Sequence, residues 1–427
     1  MLSFIAIVAV LVCLLALGFP VAIGLGVAGA VGLIATGQSL DIVAEVIYSS
    51  ADNFVLLAIP LFVLMSRLLM KTGMGDDIFE LINSFLRHLP GGLAAGSVLC
   101  CAFFAAISGS SVTNAAAVGL IAIPSLIRHG YPKEFAAGLV AAGGTLGILI
   151  PPSIPFIVYG AIADQSVSKL FLAGVVPGVV VTLLILAHAV IVSRVRGYGT
   201  PQPPMAWRAR WAALRRSGPL LALPVLILGG IYTGIFTPTE AAAAAVTLTV
   251  LLAAAVYRRL TLSVLWVATR ETVYVTAMIF FIIAGAKLFG HVSTTMQIPQ
   301  AFAQWVLDAN ISAFAFIAAT MLLLILLGDF LDPISIILIV VPVLLPAMTA
   351  LRIDPIWFGV LLVVNMELAN ITPPVGLNLF VIQGIQRDLS YQQVLRGTAP
   401  FMAVIVLALL LVWWQPQLAT WLPERAR

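Results

Sequence analysis

The sequence predicts an all-α polytopic membrane protein built as two inverted repeats, and three observations carry that prediction. Apolar residues make up 62% of the chain and charged residues 9%, whereas soluble domains carry roughly 25% charge. Mean hydropathy is +1.14, and a soluble fold cannot cover its surface with so little charge. Apolar runs of spanning length, about 20 residues each, recur along the whole chain. Landmarks of the first half also return in the second.

The runs lie at 2–17, 21–36, 54–70, 135–163, 170–193, 220–236, 241–257, 274–289, 357–383 and 399–414. The first opens at Leu2 with no basic n-region, so it is expected to be a span and not a cleaved signal peptide. Two further stretches, about 94–127 and 311–348, are interrupted by polar clusters. They are too long for one span and too broken for two, so each is expected to re-enter as a helical hairpin. Half-polar segments at 41–50, 76–89, 261–272 and 299–310 are expected to be amphipathic helices at the interface or bracing the bundle. Cys13, Cys100 and Cys101 all sit in apolar segments and fill helix volume, with no metal or disulfide spacing.

Basic residues set the orientation. The hydrophilic segment 194–217 holds Arg194, Arg196, Arg208, Arg210, Arg215 and Arg216 and no acid, so it is expected to be a cytoplasmic linker. Arg67 with Lys71, Arg87, Arg128 with Lys133, Arg258 with Arg259, and Arg387 fall on the same side if both interrupted stretches re-enter. The net charge of +4 is topology information and no nucleic-acid footprint.

The linker divides the chain into a first repeat, 1–193, and a second, 218–427. Pro151-Pro152 recurs as Pro373-Pro374, and Pro124 as Pro346. Each repeat is expected to hold about five transmembrane helices, one hairpin and one broken helix, the latter at about 135–163 and 357–383. An odd number of spans per half gives opposite orientations, the inverted-repeat pattern of secondary transporters.

Chemistry is expected at four polar breaks. These are the Ser108-Gly-Ser-Ser-Val-Thr-Asn114 knot, the stretch from Gly143 to Ser153, the Gly328-Asp-Phe-Leu-Asp-Pro333 turn, and the stretch from Asn365 to Pro374. A proline pair within a span removes backbone donors and leaves carbonyls of the preceding turn without partners. Half-helix N-termini then suit an anion, and the carbonyl, hydroxyl, amide and carboxylate oxygens suit a hard cation such as Na⁺. Single Ser and Thr residues in spans often bond back to their own helix. Acids within spans default to a functional role, with a helix cap as the alternative for Asp329 or Asp332. Lys287 and His188 are expected to snorkel or pack.

Other function classes fit poorly. Aspartyl intramembrane proteolysis needs two acids from separate helices, whereas Asp329 and Asp332 lie three residues apart. Serine chemistry would need His188 to reach Ser110. No phosphate loop of the Gly-Lys-Ser/Thr type occurs, which disfavours an ATP-driven pump. The chain is not expected to be an enzyme or to need a cofactor.

The stretches SGSSVTNAAAVGLIAIP, AAGGTLGILIPPSIPFIVYG and ANITPPVGLNLF resemble the large membrane subunit of tripartite ATP-independent periplasmic (TRAP) transporters, within the ion-transporter superfamily. The resemblance covers essentially the whole chain. It implies Na⁺-driven uptake of an organic acid (a dicarboxylate, keto acid or sialic acid) across a bacterial or archaeal inner membrane. It also implies a small membrane subunit and a periplasmic substrate-binding protein, with a self-sufficient symporter as the alternative. On this basis Ser108, Gly109, Ser111, Gly144, Thr145, Gly328, Asp329, Asp332, Asn365, Glu367 and Thr372 are the expected cation ligands. Ser110, Asn114, Ser153 and Asn378 are expected to face substrate. The family often has Ala where Thr113 stands.

Overall fold

The computed structural model describes residues 2–425, which form twenty α-helices and no strand. The chain opens with α1 (Leu2–Ala16), α2 (Val21–Ala35), α3 (Asp41–Ala51), α4 (Ala58–Lys71) and α5 (Met74–Leu86). Next come α6 (Gly92–Ser108), α7 (Ser111–Arg128), α8 (Lys133–Thr145), α9 (Ile154–Ala163) and α10 (Val167–Val195). The middle holds α11 (Trp207–Tyr232), α12 (Pro238–Leu251), α13 (Leu262–Thr295) and α14 (Ile298–Asp308). The chain closes with α15 (Ala313–Gly328), α16 (Pro333–Ala350), α17 (Pro355–Ala369), α18 (Leu377–Ile385), α19 (Tyr391–Trp414) and α20 (Gln417–Arg425). Among the described residues, eight helices are long and apolar enough to cross a membrane, α4 being extended by its preceding 3₁₀ turn and α12 by its following π turn. The chain is a multi-pass membrane protein.

Local sequence explains where the helices begin. Ser110, Ser153, Ser166, Thr237, Thr261, Ser312, Asp332, Asp354 and Ser390 each accept a backbone N–H of the first turn that follows. Such a cap satisfies one of the donors that a helix start leaves without a partner. Pro155, Pro238, Pro299, Pro333 and Pro355 stand at the first or second helical position, where a missing N–H costs nothing.

Two segments differ from the sequence expectation. The amphipathic stretch 261–272 and the run 274–289 form one 34-residue helix, α13. No glycine or proline interrupts residues 262–284, so nothing there ends the hydrogen-bond ladder. Half of the 194–217 linker is helical as well, because α11 begins at Trp207 and carries Arg208, Arg210, Arg215 and Arg216 on its first turns.

Close helix packing relies on small residues, as in membrane interiors generally. A Cβ on Gly29 or Gly32 of α2 would come within 2.7 Å of Leu288 or 2.5 Å of Val292 on α13. A Cβ on Gly138 of α8 would lie 2.1 Å from the Gly397 backbone on α19, and one on Gly397 would lie 1.9 Å from the Glu134 carbonyl.

Helices α6 and α7 pack as a pair joined by Gly109 and Ser110, and α15 pairs with α16 through residues 329–332. After each pair comes a helix interrupted at a proline pair, α8 to α9 and α17 to α18. Ser111 and Pro333 open the second arms, and Lys133 and Pro355 open the interrupted helices. Both pairs of positions are 222 residues apart. Pro151-Pro152 and Pro373-Pro374 are both cis.

Candidate binding site

All four interruptions open onto one cavity of about 320 Å³. Ser111, Ile154, Pro333 and Leu377, the first helical residues of α7, α9, α16 and α18, all line it. Four helix N-termini therefore converge on one space, each bringing the positive end of its helix dipole, although Ser110, Ser153 and Asp332 already cap first-turn N–H groups of α7, α9 and α16. That arrangement attracts an anion. Helices α4 and α13 close the opposite wall with Val63, Ser66, Arg67, Val275, Met278 and Ile279.

The first tip is tightly built. Gly109 caps α6 with φ +63, a left-handed conformation that glycine adopts without steric cost. Its carbonyl accepts the Ile154 N–H at 3.2 Å, which ties the tip to the break between α8 and α9. A Cβ on Gly147 would stand 2.5 Å from the Ser110 carbonyl, so the break nests directly beneath the tip.

Of the residues expected to face substrate, Ser110 lines the cavity. The other three are fully buried behind it and act as braces. Asn114 donates through Nδ2 to the carbonyls of Cys101 (3.1 Å) and Gly144 (3.2 Å), clamping α7 to α6 and α8. Ser153 caps α9 and donates to the Ile148 carbonyl at 2.5 Å. Asn378 donates to Ser111 Oγ at 2.8 Å and to the Ala141 carbonyl at 3.0 Å, while Ser111 Oγ donates back to Asn378 Oδ1 at 3.1 Å. The sequence signal, polar side chains near a break, does not distinguish a wall from the layer that supports it.

Of the expected cation ligands, Ser108, Gly109, Ser111 and Asp332 line the cavity. Asp332 spends its carboxylate on capping α16. Its Oδ1 accepts the N–H groups of Ile334 (3.0 Å) and Ser335 (3.1 Å), and Oδ2 accepts the Ser335 hydroxyl. Gly144, Thr145, Gly328, Asp329, Asn365 and Glu367 are buried outside the cavity wall. Thr145 bonds back to Ala142, and the half-buried Thr372 bonds back to Leu368. Asn365 Nδ2 donates to the Met321 carbonyl of α15 at 2.8 Å.

Several of these groups retain buried oxygens with no hydrogen-bond partner in the protein, namely Asn114 Oδ1, Asp329 Oδ1, Asn365 Oδ1 and both carboxylate oxygens of Glu367. An oxygen buried without a donor costs free energy, and a set of such oxygens is the donor chemistry a hard cation takes. Each of these oxygens is of a type that a hard cation takes as a ligand.

Sequence reasoning assigned no site role to four polar residues that line the cavity, Ser66, Arg67, Thr113 and Asn370. Arg67 and Ser66 come from α4, whose basic end resembles any positive-inside flank. Asn370 is 3% exposed, lines the cavity, and has an Nδ2 with no protein acceptor. It lay in the quoted break yet carried no signal to rank it above its neighbours. Lys287 donates to the Ser49 carbonyl at 3.2 Å, and the His188 ring packs 4.8 Å from that of Phe401. Both are structural contacts.

Comparison with known proteins identifies the family. The chain is 42% identical over 402 residues to a C4-dicarboxylate TRAP transporter large permease protein of Pseudomonas aeruginosa, covering 94% of this chain and 93% of that protein. It is 34% identical to the sialic acid TRAP transporter large permease protein of Vibrio cholerae, covering 96% of each. An ectoine TRAP transporter large permease protein of Halomonas elongata is also 34% identical, with 98% of each covered. Among solved structures, the Alcanivorax borkumensis YdaH transporter shares the fold with a TM-score of 0.61 at 14% identity, over 88% of this chain and 87% of that one. The family described as tripartite ATP-independent periplasmic transporter, DctM component, matches residues 8–418, and the chain belongs to that family.

Proposed function

We propose that this chain is the large membrane subunit of a Na⁺-driven importer of a C4-dicarboxylate across the bacterial inner membrane. The observation that carries the reading is the convergence of four helix N-termini on one cavity. Anion recognition follows from those dipoles, and the 42% identity to a C4-dicarboxylate permease supports the substrate class. Partners of the kind the family name implies, a small membrane subunit and a periplasmic binding protein, complete the proposal. A permease of Oleidesulfovibrio alaskensis named DctMQ, 36% identical, matches this chain over 63% of its own length. Its combined name and greater length support a small-subunit partner.

The cation would be held by Asn114, Asp329, Asn365 and Glu367 together with the carbonyls and hydroxyls of the breaks at Ser108, Gly109, Ser111, Gly144, Thr145 and Gly328. When bound, it supplies positive charge and the driving gradient. Each net positive charge moved inward gains about 2.3 kcal/mol per 100 mV, and each tenfold ion gradient adds about 1.4 kcal/mol. Two Na⁺ with a dianion move no net charge and keep only about 2.8 kcal/mol, so a third ion is favoured for a dicarboxylate.

The constant spacing of the hairpins and broken helices supports two repeats, 1–193 and 218–427, and an odd number of spans in each would give them opposite orientation. These elements form a block that carries the cavity past a scaffold containing α2, α4, α12 and α13, as in an elevator. Cysteine cross-linking between α7 and α4 in two distant registers supports this motion; a single trapped register rejects it.

The central test is uptake of labelled succinate into cells or proteoliposomes holding this chain with its small subunit and binding protein, with and without a Na⁺ gradient. Uptake that requires both Na⁺ and the binding protein is expected. Accumulation by this chain alone would show a self-sufficient symporter, and succinate uptake indifferent to Na⁺ would reject the coupling ion.

A further inference from the structure

Among the residues lining the cavity, Arg67 is the one basic side chain, and Asp332, the one acid, is turned into the start of α16. Arg67 stands on α4, across the space from the hairpin tips. Its side chain is 24% exposed, and its ion pair is with Glu271 of α13, through Nη1 at 3.5 Å. Lys71, one helical turn further on, holds the other oxygen of Glu271 at 2.5 Å. One carboxylate thus serves two cations, and the shorter contact belongs to Lys71. The three side chains carry one net positive charge, and Arg67 is the one of them that lines the cavity. A guanidinium offers five N–H donors in a planar fork, and the Arg67–Glu271 contact engages a single nitrogen.

We propose that Arg67 is the substrate-recognition cation of this cavity, binding a carboxylate of the transported acid opposite the four helix N-termini. The assignment rests on the organic-anion reading given above. The helix ends bring distributed partial charge, which suits any anion. Arg67 brings a full charge with planar donor geometry, which favours a carboxylate over a neutral polar group. Glu271 is shared with Lys71 and engages only Nη1 of Arg67, which leaves other guanidinium donors for a ligand. Asn370 Nδ2, buried without a protein acceptor on the same cavity, is placed to donate to the same ligand.

The test compares succinate with succinamate, which replaces one carboxylate by an amide, as ligands that raise the thermal stability of the purified full-length chain in detergent with Na⁺ present. For the parent, succinate is expected to bind more tightly than succinamate. Arg67→Gln is expected to weaken succinate binding by about ten- to a hundredfold, the usual worth of a charge-assisted contact, and to bring the two affinities close together. Arg67→Lys is expected to restore part of the preference, and Glu271→Gln to lower it less than Arg67→Gln does. A purely structural arginine would lower the ligand-independent melting temperature and leave the succinate-to-succinamate ratio intact, which would overturn the assignment. Equal succinate affinity in parent and Arg67→Gln would overturn it too, while leaving the anion-transport reading standing. If the parent is stabilised by no carboxylate among succinate, fumarate, 2-oxoglutarate and N-acetylneuraminate, both the transport reading and the Arg67 assignment fall.

Discussion

Asn378 shows how much a single buried amide can hold. Its Nδ2 bridges Ser111 Oγ and the Ala141 carbonyl in a fully buried setting. Removing one partner of a buried hydrogen bond costs about 1–3 kcal/mol. Asn378→Ala is therefore expected to lower stability by that amount, read as a fall in the melting temperature of the purified chain; an unchanged melting temperature would show that the pair is not a brace. Asp332 makes a similar case. Asp332→Ala removes an N-cap worth about 1–2 kcal/mol, whereas Asp332→Ser keeps a capping oxygen. Melting temperatures that separate the two variants would confirm a capping role, and equal losses in both would point to a role for the carboxylate itself. The sequence flagged all of these residues as polar in an apolar setting, and that much was legible. Which side of the wall each occupies was not, because the direction of a side chain near a broken helix depends on the neighbouring element. Asn114 and Asn378 turn inward to bond carbonyls of neighbouring helices and Ser153 to bond the Ile148 carbonyl within the break, and Arg67 faces the cavity from a helix that carries no break.

At the scale of elements, helix boundaries near Gly and Pro were readable from local chemistry. The tip at Gly109 and the break at Pro151-Pro152 need residues that leave a helix, and the sequence puts them there. The continuity of α13 was not readable, since a change from half-polar to apolar composition marks an interface and not an end to hydrogen bonding. Close crossings are equally silent in sequence. Gly138 and Gly397 meet backbone to backbone, so Gly138→Ala is expected to push α8 from α19 and cost about 1–3 kcal/mol through overpacking. Chemical denaturation of the variant beside Gly26→Ala, where a Cβ meets nothing within 4 Å, checks this; similar losses in both would refute the crossing. The α8 start also contacts the loop before α19 through Lys133 and Asp388. That hydrogen-bonded ammonium, then the Gln386 amide, hold the Asp388 carboxyl below the usual carboxylate range. A depressed folded value gives stability that is present above the unfolded value, about 3.9, and is lost as pH falls through the folded one. Lys133→Met is thus expected to differ from the parent at neutral pH and to converge with it under acid conditions, as melting temperatures across a pH series would show.

The whole molecule is joined at one end by a charged knot. Asp77 on α5, 2% exposed, pairs with Arg216 of α11 (2.7 Å) and with Arg259 beyond α12 (2.8 Å). Arg259 also donates to the Gly73 carbonyl at 3.0 Å, and Ser217 Oγ donates to the Asp77 carbonyl at 2.8 Å. Breaking a buried ion pair from one side leaves an uncompensated charge and costs about 3–5 kcal/mol. Asp77→Ala is expected to fall near the low end, since Arg216 is half exposed, and to reduce the yield of folded protein. Recovery of parental stability in that variant would show that the knot is dispensable. The arginines were legible as cytoplasmic markers, and their joint partner was not, because Asp77 lies far from both in sequence.

The pairing of Asn378 with Ser111 joins the second half's broken helix to the tip of the first half's hairpin, with hydrogen bonds running in both directions. The tip and the broken helix therefore share one fixed contact. A displacement of one that left the other behind would have to break this buried pair. Under the elevator reading proposed above, a fixed number of ions per substrate would need no separate counting device, because this bond ties the two halves to a single stroke.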